Sequence, residues 1–310
     1  MRVIRLVVVI GVAIAVVVAG IVVTGRAFGW QAGPLYFLVA LTPYWGLLLI
    51  ACAAVAGLLR AWWLVVPSAI LAGVVAWWWA PAFRSPEPVP GWDLQVMTTN
   101  LQFGRGDAAA VAGAVRDHGV DLLSVQELTP TALRSLTVAG LQDELPYQFV
   151  RTGDSTQGTG IWSRYPLSQQ RETDDLIFEN LAATVETPQG PVEFFAMHPI
   201  PPTATDGNRG QDIAEAAIAF VNAATGPAVV AGDLNATVDN VPMRRLADLG
   251  YLDAATAAGA GMVRTWPDDL APLPPLVALD HVLTRDAPHA REVEVVAIPG
   301  TDHRAVIAWL

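Results

Sequence analysis

Val229-Val230-Ala231-Gly232-Asp233-Leu234-Asn235-Ala236-Thr237 (VVAGDLNAT) runs from an unbroken apolar segment straight into a polar turn. Residues 228–231 read as a short buried strand, and Gly-Asp-Leu-Asn after them is turn chemistry. A lone Asp-Leu-Asn is usually only a turn, because Asp and Asn tolerate such backbone geometry. The stretch gains meaning from its surroundings, where the same transition recurs. Asn100 closes the strand pattern of residues 94–101 (LQVMTTNL), and Gln126 and Glu127 follow the apolar run 121–125. His198 ends the strand at 192–197, Asp280 and His281 interrupt 277–283, and Asp302 with His303 precedes 305–309. Polar residues at the ends of buried strands, sharing one space, are where catalytic groups tend to sit.

Further strands are predicted near 160–163, 181–186 and 292–296. Helices are predicted over 108–118, ended by Gly119, and over 212–224, which has an apolar face. Strands outnumber helices and do not alternate strictly with them. An α/β sandwich therefore fits better than a doubly wound sheet.

The residue types suit phosphate chemistry. A hard cation such as Mg²⁺ or Mn²⁺ takes carboxylate and amide oxygens, which Glu127, Asn100 and Asp302 supply. A histidine beside a carboxylate is fixed in one tautomer and can stay cationic against a phosphate, as His303 with Asp280 would.

Residues 1–86 differ from all of this. They contain no Asp or Glu and only five basic residues, Arg2, Arg5, Arg26, Arg60 and Arg84. Three apolar stretches, about 3–24, 34–59 and 61–80, each approach the roughly 20 residues that span a bilayer core. Trp62 and Trp63 at one end of the third, and Trp77, Trp78 and Trp79 at the other, match interfacial belts. A cleaved signal peptide is the bland alternative for the first stretch, but its apolar run is too long and two more follow. Arg2, Arg5 and Arg60 share one side and make it cytoplasmic, with Arg26 and Arg84 opposing. Three crossings then place everything after residue 84 outside the cytoplasm. Residues 85–92, rich in proline, read as a short stiff linker, and residues 93–310 as one globular domain. Cys52 is the only cysteine, so no internal disulfide is available.

In order, the motifs are MTTN (97–100), DLLSVQE (121–127), GTGIWSRYP (158–166), FFAMHPIPP (194–202), VVAGDLNAT (229–237), TWP (265–267), LDHVL (279–283) and GTDHRAV (300–306). This set resembles the endonuclease/exonuclease/phosphatase superfamily, which includes pancreatic deoxyribonuclease, abasic-site endonucleases, inositol polyphosphate phosphatases and neutral sphingomyelinases. The resemblance implies a four-layered α/β/β/α sandwich, deoxyribonuclease-like, preceded here by three transmembrane helices. It implies that Glu127 is the main Mg²⁺ (or Mn²⁺) ligand, helped by Asn100 and Asp302. Asp233 would orient or deprotonate the attacking water, Asn235 would contact phosphate, and His303 with Asp280 would stabilise charge on phosphorus. His198 would be a second phosphate contact or an acid. Tyr165 stands where the deoxyribonuclease group carries an acid, which removes that partner for His198. The architecture resembles, more narrowly, actinobacterial membrane proteins of the VanJ type, associated with teicoplanin resistance.

Charge bears on the substrate. Residues 87–310 hold 13 arginines against all 29 acids, a balance of −16. Duplex binding draws much of its affinity from basic phosphate contacts, so this balance weighs against a duplex-directed nuclease. Arg164, Arg209 and Arg304 remain candidates to hold a single phosphate group. A site tethered to a bilayer meets lipid-linked phosphates at high effective concentration. A lipid or envelope phosphate is therefore the expected substrate. An extracytoplasmic endo- or exonuclease and a catalytically silent membrane binding protein are the alternatives.

Overall fold

The computed structural model describes residues 2–84, 92–173, 177–200 and 207–310, with backbone only for 207–212. The expected linker lies mostly outside the described residues. The chain divides into two compact units, Met1–Phe83 with Asp239–Val241, and Arg84–Val238 with Pro242–Leu310.

In the first unit, α1 (Arg2–Phe28) is a single apolar helix of 27 residues. At ~1.5 Å per residue that is about 40 Å, more than the ~30 Å of a bilayer core. The second expected span is not one helix. It is a short α2 (Pro34–Ala40) and α3 (Thr42–Leu58), bent by 74°. Pro43 lies in the first turn of α3. It has no N–H to carry the hydrogen-bond ladder across from α2, and its ring disfavours helical geometry at the residue before it. Thr42 Oγ1 instead donates to the Val39 carbonyl at 2.6 Å. α4 (Trp62–Trp79) continues as a 3₁₀ turn to Phe83 and tolerates Pro67 within it. Among the described residues, therefore, two helices and not three are each long and apolar enough to cross a membrane, and the bent pair is a third candidate only if taken as one broken span.

Gly46 lets α3 approach α4, since a Cβ there would stand 2.8 Å from Val75 Cγ1. The bundle buries small residues such as Ala19, Cys52 and Ala56, while Val17, Ile21, Ile50 and Ile70 face outward. A helix apolar all round is a helix built for an apolar surround. Arg26, which opposed the expected orientation, is neutralised in this unit by an ion pair with buried Asp239 and lies over the Trp78 ring.

The second unit contains two six-stranded mixed sheets. In chain order its elements are β1 (Gln95–Asn100), α5 (Ala108–Asp117), β2 (Leu122–Gln126), α6 (Pro130–Val138), α7 (Leu141–Glu144), β3 (Tyr147–Arg151), β4 (Thr159–Ser163), β5 (Leu167–Glu172), β6 (Leu181–Thr187), β7 (Gly190–Met197), α8 (Gly207–Asn222), β8 (Ala228–Asp233), α9 (Val241–Asp248), β9 (Leu252–Asp253), α10 (Ala254–Ala257), β10 (Asp280–Arg285), β11 (Glu292–Ala297) and β12 (Arg304–Trp309). One sheet runs β11-β12-β1-β2-β4-β3 and the other β5-β6-β7-β8-β10-β9. Among the described strands only β1 with β2 and β7 with β8 are parallel; α5 and α8 are their crossover helices.

Alternation along the strands builds the layers. Val96, Leu122, Ile161, Phe194, Val229 and Val282 form the core between the sheets. Met97, Leu123, Trp162 and Ile307 point the other way, against Val111, Val115, Ala132 and Leu136 of α5 and α6. On the outer face of the second sheet, Phe195 meets Phe220 of α8 edge-on. Helices thus cover both outer faces, giving the expected α/β/β/α order.

The edge strands β3 and β5 did not declare themselves in sequence: β5 is polar after its first residue (LSQQRE), and β3 (YQFVR) is short and mixed, with only Phe149 buried. The strand expected over 277–283 begins later, at Asp280, because Val277 bridges Trp266 instead.

Candidate active site

The central strands of both sheets end in one place. β1 and β2 are parallel with Asn100 opposite Gln126, so Asn100 and Glu127 emerge side by side. β8 and β10 are antiparallel with Asp233 opposite Asp280, so the end of one strand meets the start of the other. Gly232 is required here, because a Cβ would fall 1.8 Å from the Met197 carbonyl oxygen on the neighbouring strand. Glu127 and Asn235 adopt left-handed backbone, φ 56° and 49°, which turns each side chain out of its strand direction.

Asp233 is the hub. Its Oδ2 accepts from Asn100 Nδ2 at 2.9 Å and lies 3.7 Å from Nε2 of both His198 and His303. Its Oδ1 accepts the Asn235 backbone N–H at 2.9 Å. Asn235 Nδ2 donates to the Pro199 carbonyl at 3.1 Å. His303 Nδ1 is 2.8 Å from Asp280 Oδ2, which fixes the ring and leaves Nε2 towards Asp233. Asp302 is part-exposed beside it, its Oδ2 held by the Trp266 indole N–H at 3.0 Å.

Burial alone would lower the His303 pKa, but the charges of Asp280 and Asp233, the Asp280 hydrogen bond and the charge of Asp302 outweigh it and raise it to about 10. His198 is driven the other way, to about 4, by burial and by the His303 charge, against the attraction of Asp233. Two histidines on one carboxylate are thus split into a cation and a neutral ring. Phe178 stacks on His198 at 4.6 Å, and Asn180 Oδ1 accepts the His198 backbone N–H at 2.8 Å.

Glu127 receives the Phe103 backbone N–H at 2.6 Å and Asn100 Nδ2 at 3.2 Å. Its pKa is nonetheless raised, first by burial and also by the charge of Asp233. Four carboxylates around one imidazolium leave an excess of negative charge. Oδ1 of Asp280 is buried without a hydrogen-bond partner among the described residues. Ligand atoms of Asp233, Asp280 and His303 lie within 4.8 Å of one another. The donor set is therefore one that a divalent cation fits, through oxygens of Glu127 and Asp302 or through the Asp233 group. Asn100 is drawn as a bridge between Glu127 and Asp233, its Oδ1 already accepting from Gln102 N at 2.8 Å.

All of Asn100, Glu127, His198, Asp233, Asn235, Asp280, Asp302 and His303 are thus brought together. Two of the three candidate arginines are held elsewhere. Arg164 forks onto Asp121 Oδ1 (2.8 Å) and the Val120 carbonyl (2.9 Å), at the opposite end of β2 from Glu127. Arg304 is held by Asp268, Nε to Oδ1 at 2.8 Å. The side chain of Arg209 lies outside the described residues. His281, counted among the polar strand ends, points away from the cluster, with Nδ1 2.9 Å from Asp253 Oδ2. The reading from sequence missed Trp266 as the support of Asp302 and Phe178 as the wall against His198. The motif Thr265-Trp266-Pro267 was a signal for the first, and nothing marked the second.

The comparisons agree with this geometry. The family model for the endonuclease/exonuclease/phosphatase family matches residues 97–303. Among solved structures, a family protein from Leptotrichia buccalis has 13% identity and a TM-score of 0.54, covering 69% of this chain and 98% of its own. D. rerio TDP2 humanized by 14 mutations has 16% identity and a TM-score of 0.55, covering 69% and 97%. A family protein from Bacteroides vulgatus has 18% identity and a TM-score of 0.54, covering 70% and 98%. At such identities the likeness is one of fold. No curated protein matches the chain. The match over residues 97–303, with the two-sheet fold beneath it, establishes that the chain belongs to the endonuclease/exonuclease/phosphatase family.

Proposed function

We propose that this protein is a membrane-anchored hydrolase that cleaves a phosphoester or pyrophosphate of a lipid-linked or envelope substrate. The observation that carries the chemistry is the convergence on Asp233 Oδ2 of Asn100 Nδ2 at 2.9 Å and two imidazole Nε2 atoms at 3.7 Å. Asp233, oriented by Asn100 and by the Asn235 N–H, takes the proton of the attacking water. His303, kept cationic by Asp280, faces the charge that develops on the phosphoryl oxygens. Neutral His198 hydrogen-bonds the phosphate, and Asn235 reads a further oxygen. A divalent cation held by Glu127 and Asp302 would neutralise phosphoryl charge.

The lipid part of the reading is supported by the two long apolar helices and by the acidic balance of residues 87–310. With the bent pair counted as one broken span, the catalytic domain lies outside the cytoplasm. The VanJ-type resemblance supplies cell-wall assembly under glycopeptide challenge as the setting.

The deciding experiment is phosphate release by the full-length protein with Mg²⁺ or Mn²⁺. The substrates are a polyprenyl pyrophosphate, a phospholipid, an inositol phosphate and plasmid DNA, each run beside Asp233→Asn. Release from a lipid substrate, reduced about 10²- to 10⁴-fold in the variant, is the expected result. Cleavage of DNA alone would make the protein a surface nuclease instead.

A further inference from the structure

Directly behind the catalytic strand ends lies an apolar pocket. Met197 and Leu234, the chain neighbours of His198 and Asp233, line it, together with Pro199, Ala217 and Ile218 of α8 and Met243 of α9. Its lining residues, among those described, are all apolar, and it holds about 450 Å³ of atom-free space, open mouth included. Pro199 belongs to both places: it lines the pocket, and its carbonyl accepts the Asn235 side-chain N–H at 3.1 Å.

Packed interiors leave few voids larger than a water molecule. A space with no polar lining offers ordered water none of the two to four partners it needs. Hydrocarbon is the occupant such a surface prefers, and the chain carries helices apolar enough to hold it at a bilayer, where hydrocarbon chains are abundant. We infer that this pocket takes the first part of a single alkyl or isoprenyl chain whose phosphate sits at Asp233 and His303, the chain leaving the site past Pro199. This rests on the lipid-phosphate reading above and gives it a specificity element: the pocket selects a phosphate bearing one hydrocarbon chain.

The test uses the full-length protein in lipid nanodiscs with Mg²⁺ and a series of alkyl p-nitrophenyl phosphates from butyl to dodecyl. The pocket predicts that kcat/KM for dodecyl exceeds that for butyl by about tenfold or more, since each added methylene gains a dry contact. Met243→Trp, or the milder Ile218→Phe should tryptophan not be tolerated, should bring the dodecyl-to-butyl ratio close to one. A ratio that survives in both variants reflects partition into the bilayer and overturns the pocket. A second readout does not need turnover. A dodecylphosphonate with a terminal diazirine should photolabel α8 or α9 in Asp233→Asn, and lose that label in Met243→Trp. Labelling without turnover of any ester would sink the hydrolase reading and leave the pocket standing. Turnover with no label on either helix would do the reverse.

Discussion

His281 Nε2 stands 3.0 Å from the carbonyl oxygen of Ala236, while its Nδ1 stands 2.9 Å from Asp253 Oδ2. Both neighbours are acceptors, so the ring must donate from both nitrogens and is an imidazolium. Burial lowers its pKa, but the hydrogen bond and charge of Asp253, the charge of Asp280 and the Ala236 carbonyl raise it above the ordinary value. The cation pins the residue that follows Asn235, so it holds the turn that carries Asp233 and Asn235.

His281→Phe removes one partner of a buried pair and leaves Asp253 without its counter-charge. The expected loss is about 3 kcal/mol of stability. Thermal melting of His281→Phe beside the double variant His281→Phe/Asp253→Leu measures it, and the double variant should recover part of the loss. The raised pKa also sets a pH dependence. The stabilisation is fully present below the unfolded histidine pKa of about 6.5 and fades as pH rises through the folded value. The melting difference between wild type and His281→Phe should therefore shrink at alkaline pH. A constant difference would show that the ring is neutral.

Trp266 should act on metal binding. Its indole N–H fixes Asp302 Oδ2 at 3.0 Å. Supports of this kind are typically worth about 10–100-fold in metal affinity. Trp266→Phe should weaken Mn²⁺ binding by about that factor in paramagnetic resonance titrations without substrate. Unchanged Mn²⁺ affinity would remove Asp302 from the ligand set.

Arg164→Ala separates position in the chain from position in the fold. The guanidinium serves Asp121 and the Val120 carbonyl, far along β2 from Glu127. The expected outcome is a melting temperature lowered by a few degrees, from about 1 kcal/mol, with kcat/KM unchanged within twofold. A loss of activity without a loss of stability would return Arg164 to the substrate.

Membrane sidedness depends on parity. α1 and the Trp62–Phe83 segment are long and apolar enough for two crossings, and the pair bent by 74° would add a third if it passes through as a broken span. Alkaline phosphatase fused after Leu310 should be active, and a fusion at Arg60 inactive. The opposite pattern at Leu310 would make the bent pair a re-entrant loop and place the catalytic domain in the cytoplasm.

Hydropathy alone marked the apolar helices and the central strands, because burial demands long apolar runs wherever they lie. It also marked Asn100, Glu127, His198, Asp233, Asp280, Asp302 and His303, since a polar residue closing a buried strand is visible in one dimension. It did not distinguish Asp280 from His281, which are adjacent in the chain yet serve different ends. Asp280 turns to His303, and His281 turns to Asp253. Nor did it show that Arg164 was already paired, that Pro43 breaks the second apolar stretch, or that the half-exposed strands β3 and β5 lie at sheet edges. These were decided by tertiary structure. Sequence records the chemistry each residue carries, while strand register and the packing of two sheets set which face a side chain occupies and which distant charge it meets first.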